Sequence, residues 1–450
     1  MSDKQFLEND PQMHKKGAIE KLEHATRCLS GIDACARRVK KWLPDDLTPL
    51  IFGSALFSMF FGAGNVVYSL WLGYMTHTSS FYAALLGFCT TGVLIPFLTL
   101  IAMSFAGDKP KDFFNILPFE KLSSTLLTLL LLVWAPLGSI PRAIELAYTS
   151  LAYIWPARPW AVTHLAITLL MGALTSSPGK FINLLGKWLT PVLLLLITSL
   201  AFFSFKDLLV DTDLIAPNLV ASSSLWQRGD DNFFFLIEGA SLGYQTMDGI
   251  AALFFAAFFI TLMKPRVDKK SYLSHISSNS NATGRAKAPI LSKQLVWTFI
   301  FAILIELVVY SSLMLTASIT KEKVLMDSPA QLLHQIAIHY LGVYGGALSS
   351  WIILLAVIPT AVTLISITEQ FFMDLLIEQK NKSESAQVQV RHWRIFFKIL
   401  ILLLGFSMSL LRIEGLKNFT QPLLEIAYPL ILVLGGANIT IGVWRYCKAK

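Results

Sequence analysis

Charge is what this sequence has least of. Only 15% of its 450 residues are Asp, Glu, Lys or Arg, against 54% hydrophobic residues, and the mean hydropathy is +0.58. A soluble chain of this length needs far more polar surface, so a soluble globular fold is excluded. Cysteine is scarce: Cys28, Cys35, Cys89 and Cys447 are the four present, and they show neither a metal-ligand spacing nor a disulfide framework. There is no H-E-x-x-H string and no cluster of metal-binding side chains, which argues against a membrane metalloenzyme. Short strands of alternating polarity are also missing, which excludes a transmembrane β-barrel. No ring of charges or filter repeat suggests a channel. The first apolar run starts near residue 49, far beyond where a cleavable signal peptide would place its apolar core, so none is expected.

What the chain does have is apolar runs of about 20 residues, each long enough to cross roughly 30 Å of hydrocarbon. They fall near 49–75, 81–106, 121–152, 161–176, 187–205, 232–262, 294–317, 344–378, 395–411 and 419–443. With the N-terminus inside, 29 of the 37 Lys and Arg lie in inner segments, 7 in outer ones, and Arg142 within a span. That bias is the positive-inside pattern, and adding or dropping one span would invert it downstream. The net charge of +8 is therefore explained by orientation and needs no nucleic acid. The expected organisation is a cytoplasmic tail over 1–48, five spans over 49–205, an acidic extracytoplasmic loop over 206–231, five spans over 232–443, and a cytoplasmic C-terminal tail over 444–450. A basic, Ser/Asn-rich inner loop covers 264–293.

Five spans per half would place the second half in the membrane upside-down relative to the first. Carriers built this way hold their site on discontinuous helices at the repeat interface. Span 1 carries 60-FFGAGN-65 at its centre, and span 6 carries 238-EGASLGYQTMDG-249 at the matching place. Glycine weakens a helix by about 1 kcal/mol relative to alanine, and a buried asparagine needs partners. Unwound backbone inside a membrane is tolerated only where it lines a cavity or binds something. Half-helix N-termini favour a carboxylate, while freed carbonyls suit a small cation. A zwitterionic amino acid with a coupling cation fits both. The fold class expected is therefore an all-α polytopic membrane protein, ten transmembrane helices in a 5+5 inverted repeat, with helices 1 and 6 discontinuous. For 62-GAGN-65 alone, a small-residue packing face is the competing reading.

Five stretches carry a family resemblance: FGAGN, 174-LTSSPGKFINLLGKWLTP-191, 243-GYQTMDGIAAL-253, 356-AVIPTAVTLISITEQFF-372 and 405-GFSMSLLRIEGLKNFTQPLLEIAYPL-430. In this order, from about Leu50 to Val443, they resemble the bacterial branched-chain amino acid:cation symporter family, which is similar to the leucine-transporter-type inverted-repeat fold. The resemblance implies a carrier rather than an enzyme, in a bacterial cytoplasmic membrane, importing leucine, isoleucine and valine with Na⁺ and using no other cofactor. It implies that Gly62, Ala63, Gly64 and Asn65 cradle substrate carboxylate and cation, with Gly243, Tyr244, Gln245 and Thr246 facing them. It also implies a sodium ion between Ser58, Phe61 and Thr360, with Thr363 one turn further on. The chain departs from the family at 66-VVYSLW-71, where two prolines are usual, and at Pro359-Thr360, where two hydroxyl residues are usual.

Ionisable residues inside spans are functional candidates by default. Arg142 and Glu145, one turn apart, either neutralise each other or free Arg142 for an outer gate with Glu425. Asp248 caps the interruption of span 6 and holds a cation, the substrate amine or freed N–H groups. Glu306 has no sequence-local cation and is the first place to look for a coupling proton, in an alternative reading as a proton-coupled carrier of another neutral amino acid. Oligomeric state is not legible.

Overall fold

The computed structural model describes residues 47–117, 119–151, 154–157, 159–176, 181, 183–210, 229–263, 293–324, 329–379 and 386–448. The N-terminal tail through residue 46 and most of the loops expected over 206–231 and 264–293 lie outside the described residues, as do residues 449–450. The described residues are helical apart from short turns, bends and irregular connections, with no strand among them. In chain order the helices are α1 (Thr48–Phe60), α2 (Ala63–Met75), α3 (Phe81–Ala106), the short α4 (Pro110–Phe114), α5 (Lys121–Ser150), α6 (Trp160–Leu174) and α7 (Leu185–Lys206). After them come α8 (Gly229–Gln245), α9 (Asp248–Met263), α10 (Lys293–Thr320), α11 (Leu332–Leu341), α12 (Val343–Gln379), α13 (Ala386–Ser409) and α14 (Arg412–Lys448).

Seven of these contain continuous stretches long and apolar enough to cross a membrane: α3, α5, α7, α10, α12, α13 and α14. Two pairs meet the same criterion only together. The α1–α2 pair bends by 74° and the α8–α9 pair by 41°. Helix α6 is apolar but has 15 residues, about 22 Å of rise. The exterior is as apolar as the core. Leu169 and Leu195 are more than half exposed, as are Val308, Leu403 and Val433, while Phe57, Phe254 and Tyr310 are fully buried. That inside-out balance belongs to a multi-pass membrane protein.

Each bend has a local cause. In the first, the ladder pairs Phe61 N–H with Phe57 O and resumes with Val66 N–H on Gly62 O, while Gly62 N–H turns back to Phe60 O. The carbonyls of Ser58 and Phe61 are left outside it. In the second, Met247 has φ 64°, a left-handed conformation that stops α8 and restarts the chain at Asp248.

The broken helices are wedged against neighbours by glycine. A Cβ on Gly87 would lie 2.1 Å from Leu236 O, and one on Gly239 would lie 2.2 Å from Ala84 O, so α3 and α8 touch backbone to backbone. Three helices carry a π-helical turn: Thr90–Leu94 in α3, Ala135–Ser139 in α5 and Leu185–Leu189 in α7. Two of these turns meet a broken helix. Thr91 Oγ1 donates to Ala240 O of α8 at 2.7 Å, and Gly186 sits against the Ile51 carbonyl of α1. The third borders the cavity described next. π turns recur at functional sites because the inserted residue re-aims the helix face.

Candidate functional site

A cavity lies where the two breaks meet α5 and α12. Of the residues expected at the site, Gly62, Gly64, Asn65, Arg142, Thr246, Asp248 and Thr360 line it. It also has an apolar wall that sequence reasoning missed: Met59, Phe60, Trp134, Ala143, Ala251, Phe255, Val357 and Leu364, with Ser139 as a further polar group. Trp134 and Phe60 each pack on Phe255, with ring centroids 5.9 and 5.1 Å apart. Apolar residues in an apolar span carry no contrast, so only the general need for an apolar wall was legible.

The breaks are tied together by a polar network. Asn65 Nδ2 donates to Asp248 Oδ2 at 2.6 Å and to the Tyr310 hydroxyl of α10. Tyr310 and Thr246, whose hydroxyl donates to Gly243 O at 2.7 Å, are neighbours of the Asp248 carboxylate. Asn65, Asp248 and Tyr310 are all buried. Asp248 thus sits at the start of α9, where a carboxylate complements the helix dipole. Glu306, one turn before Tyr310, is buried and its Oε1 has no hydrogen-bond partner. Tyr310 has no counterpart in the sequence reading. Its four-residue spacing from Glu306 was the available signal.

Helix α14 holds both sides of the second break. Tyr244 OH donates to Glu425 O at 3.2 Å, and Gly249 N–H donates to Tyr428 OH at 2.9 Å. Tyr244, Gln245 and Glu425 lie off the cavity, and Gln245 reaches back to Ser241 Oγ at 3.5 Å. Gly243 is a packing residue: a Cβ there would lie 2.5 Å from Phe88 O. The five-residue string 239-GASLG-243 also has the G-x-S-x-G form of a hydrolase nucleophile elbow. Ser241 lies within α8, not at a strand-to-helix turn, so the strained elbow that exposes such a nucleophile is missing.

The donor set expected for a cation is partly assembled. Ser58 Oγ is buried with no hydrogen-bond partner. Thr360 faces Gly62, where a Cβ would stand 3.5 Å from its Oγ1. Thr360 also makes a long 3.3 Å bond to Ala356 O, whereas Thr363 is committed to Pro359 O at 2.9 Å. Pro359 has no N–H, so the Leu355 carbonyl lacks its usual helical donor. The hard oxygens of Ser58, Thr360 and the carbonyls outside the ladder are the ligand type a small cation takes. Phe61 contributes only backbone. Its ring stacks between Phe57 and Tyr310. The side chain of Ala63 is outside the described residues.

Arg142 lines the cavity and makes no ion pair among the described residues, and its Nε is buried without a partner. The neutralising bond with Glu145 is not made. Glu145 Oε2 lies instead 2.7 Å from His164 Nε2 of α6. Three residues of helix separate Arg142 and Glu145 by about 60° around the axis. That is enough to aim one at the cavity and the other at α6.

A cavity with polar and apolar walls between two broken helices, in an all-helical membrane protein, defines a membrane carrier. The chain belongs to the family described as branched-chain amino acid transport protein, whose sequence profile matches residues 46–448. It is similar to the branched-chain amino acid permease BrnQ of Corynebacterium glutamicum, at 28% identity over 393 residues, covering 86% of this chain and 79% of the relative. BrnQ of Bacillus subtilis is 25% identical over 391 residues, with the same coverage. BrnQ of Haemophilus influenzae is 26% identical over 401 residues, covering 86% of this chain and 80% of its own.

Proposed function

We propose that the protein is a secondary carrier that imports leucine, isoleucine and valine together with Na⁺ by alternating access. In this reading ten spans form two inverted repeats of five, with both termini cytoplasmic in a bacterial cytoplasmic membrane. The observation that carries it is the cavity itself: both broken helices and Thr360 of α12 open onto one space. Its apolar wall suits a branched aliphatic side chain. The cation joins Ser58, Thr360 and the free carbonyls of the first break. It thereby fixes the conformation of 61–65 to which substrate binds. Coupling follows when the cation-free break binds substrate poorly. The relatives' names support the substrate class.

The test is uptake of radiolabelled leucine into proteoliposomes under an imposed Na⁺ gradient and, separately, an imposed proton gradient. Uptake driven by Na⁺ and weakened in Thr360→Val supports the proposal. No uptake of any branched-chain amino acid under either gradient sinks it.

A second reading, proton coupling to the same or another neutral amino acid, is favoured by one observation. Glu306, whose buried Oε1 has no hydrogen-bond partner, lies one turn from Tyr310, which joins the network at Asp248 through Asn65. Proton-driven uptake that loses its pH dependence in Glu306→Gln would select it.

A further inference from the structure

We propose that Arg142 is the specificity-determining partner of the substrate's α-carboxylate, and that Asp248 takes its α-ammonium from the other side of the cavity. The proposal deepens the amino-acid carrier reading and rests on it.

Arg142 and Asp248 line the same space, yet among the described residues they form no ion pair with each other within 4.0 Å. Asp248 is held by Asn65, whose Nδ2 donates to Oδ2 at 2.6 Å. Arg142 Nε is buried without a hydrogen-bond partner, and the guanidinium makes no ion pair among the described residues. A guanidinium left unsatisfied inside a membrane protein costs several kcal/mol unless a ligand or water answers it. Arginine's planar fork of donors matches a carboxylate in a bidentate way that a lysine or a backbone N–H does not.

The sequence of α5 explains how such a residue is presented. Pro136 lies within the π turn and Pro141 directly precedes Arg142. Each proline removes one backbone donor, and the inserted π residue rotates the following turn. As a result Trp134, Ser139, Arg142 and Ala143 all reach one cavity from positions that a regular helix would spread over a wider arc. A zwitterion bridges the separated charges, while its side chain lies against Trp134 and Phe255. The backbone donors of the breaks then add to carboxylate recognition and do not provide it alone.

The geometry makes a chemical prediction that a purely structural arginine would not. The wild-type protein should bind leucine and reject leucinamide and leucinol, which keep the ammonium and the side chain but lack the anionic carboxylate. Loss of one buried charged partner is worth about 30-fold or more in affinity. Binding is measured with purified protein in detergent, by competition with labelled leucine and by ligand-induced thermal stabilisation. Arg142→Gln should lose leucine affinity by that factor and retain or gain affinity for leucinamide, so that discrimination collapses. Arg142→Lys should recover part of it. Asp248→Asn should instead lower affinity for ligands carrying the ammonium and spare 4-methylpentanoate.

Wild-type-like preference for leucine over leucinamide in Arg142→Gln overturns the inference and leaves the carrier reading standing. If Arg142→Gln does not fold, Arg142→Lys serves alone. Unchanged selectivity there, together with equal binding of leucine and leucinamide by the wild type, also overturns it. A wild-type protein that binds no α-amino acid refutes the carrier reading and this one together.

Discussion

Replacing His164 with alanine removes one side of a buried pair and strands the other. His164 Nδ1 lies 2.9 Å from Trp160 O, and a carbonyl only accepts, so Nδ1 carries a hydrogen. Nε2 lies 2.7 Å from Glu145 Oε2. Those two atoms bond only if one more proton sits between them, on the ring or on the carboxyl. The side chains are 0% and 8% exposed, with Tyr148 and Trp160 flanking the imidazole at 4.3 and 5.1 Å. Water therefore cannot replace the missing partner. Breaking such a pair from one side costs about 3–5 kcal/mol. Glu145→Gln should behave differently, because its amide can donate to Nε2 of the neutral ring and keeps the bond. A net change near 1 kcal/mol is expected for that exchange. Thermal unfolding of the purified variants in detergent should place Glu145→Gln close to wild type and His164→Ala and Glu145→Ala many degrees lower. The double alanine variant should lose clearly less than the sum of the two singles. A harmless His164→Ala, or a Glu145→Gln as damaging as it, would refute the reasoning.

Three further outcomes follow from the same geometry. Gly239→Ala and Gly243→Ala should lower folded yield and stability by about 1–3 kcal/mol, because each Cβ would meet backbone of α3 at 2.2–2.5 Å. For Gly243→Ala, a normal yield with altered substrate affinity would instead restore a binding role. Tyr428→Phe should leave Gly249 N–H unpaired at the start of α9 and destabilise by about 1–3 kcal/mol, while Tyr244→Phe should cost less because its bond is longer and more exposed. Outside the spans, burial pushes the His334 imidazole of α11 down to about 4. Its neutral form is the folded one, so stability holds above pH 6.5, falls as pH drops from about 6.5 to 4, and then levels. The ceiling is about 3 kcal/mol. His334→Gln should flatten that part of the stability–pH curve measured in detergent, and an unchanged slope would reject the assignment.

Legibility followed contrast. Helices occupy all ten regions marked out by hydropathy, because an apolar run of 20 residues stands out against anything else. The two breaks were equally plain, because glycine, asparagine and aspartate are conspicuous in apolar surroundings. The same logic hid Trp134 and Phe255, which look like any other membrane-facing aromatic. Hydropathy is also blind to a π turn, since one inserted residue leaves composition unchanged while rotating every later side chain. Gly243 was expected to face the substrate, and the structure adds a packing role that the sequence does not show, close approach to Phe88 O. One of the two readings of Arg142 paired Glu145 with it, the nearest cation in sequence. The partner of Glu145 came from the next helix, 19 residues on, through packing that local spacing does not encode.

The breaks cannot be understood from α1, α2, α8 and α9 alone. Each broken end exposes backbone groups that lipid cannot satisfy, and helices from elsewhere in the chain answer them. Helix α14 accepts the Gly249 N–H through Tyr428 and takes the Tyr244 hydroxyl on its Glu425 carbonyl. Helix α10 supplies Tyr310 to the Asn65–Asp248 bond. The network that shapes the cavity is thus shared by α2, α9, α10 and α14. Any movement of α10 or α14 relative to the broken helices must break one of these bonds or carry the site with it. That constraint gives a physical meaning to coupling here: a ligand that adds contacts on one side of the Asn65–Asp248 bond changes the free energy of displacing the helices on the other.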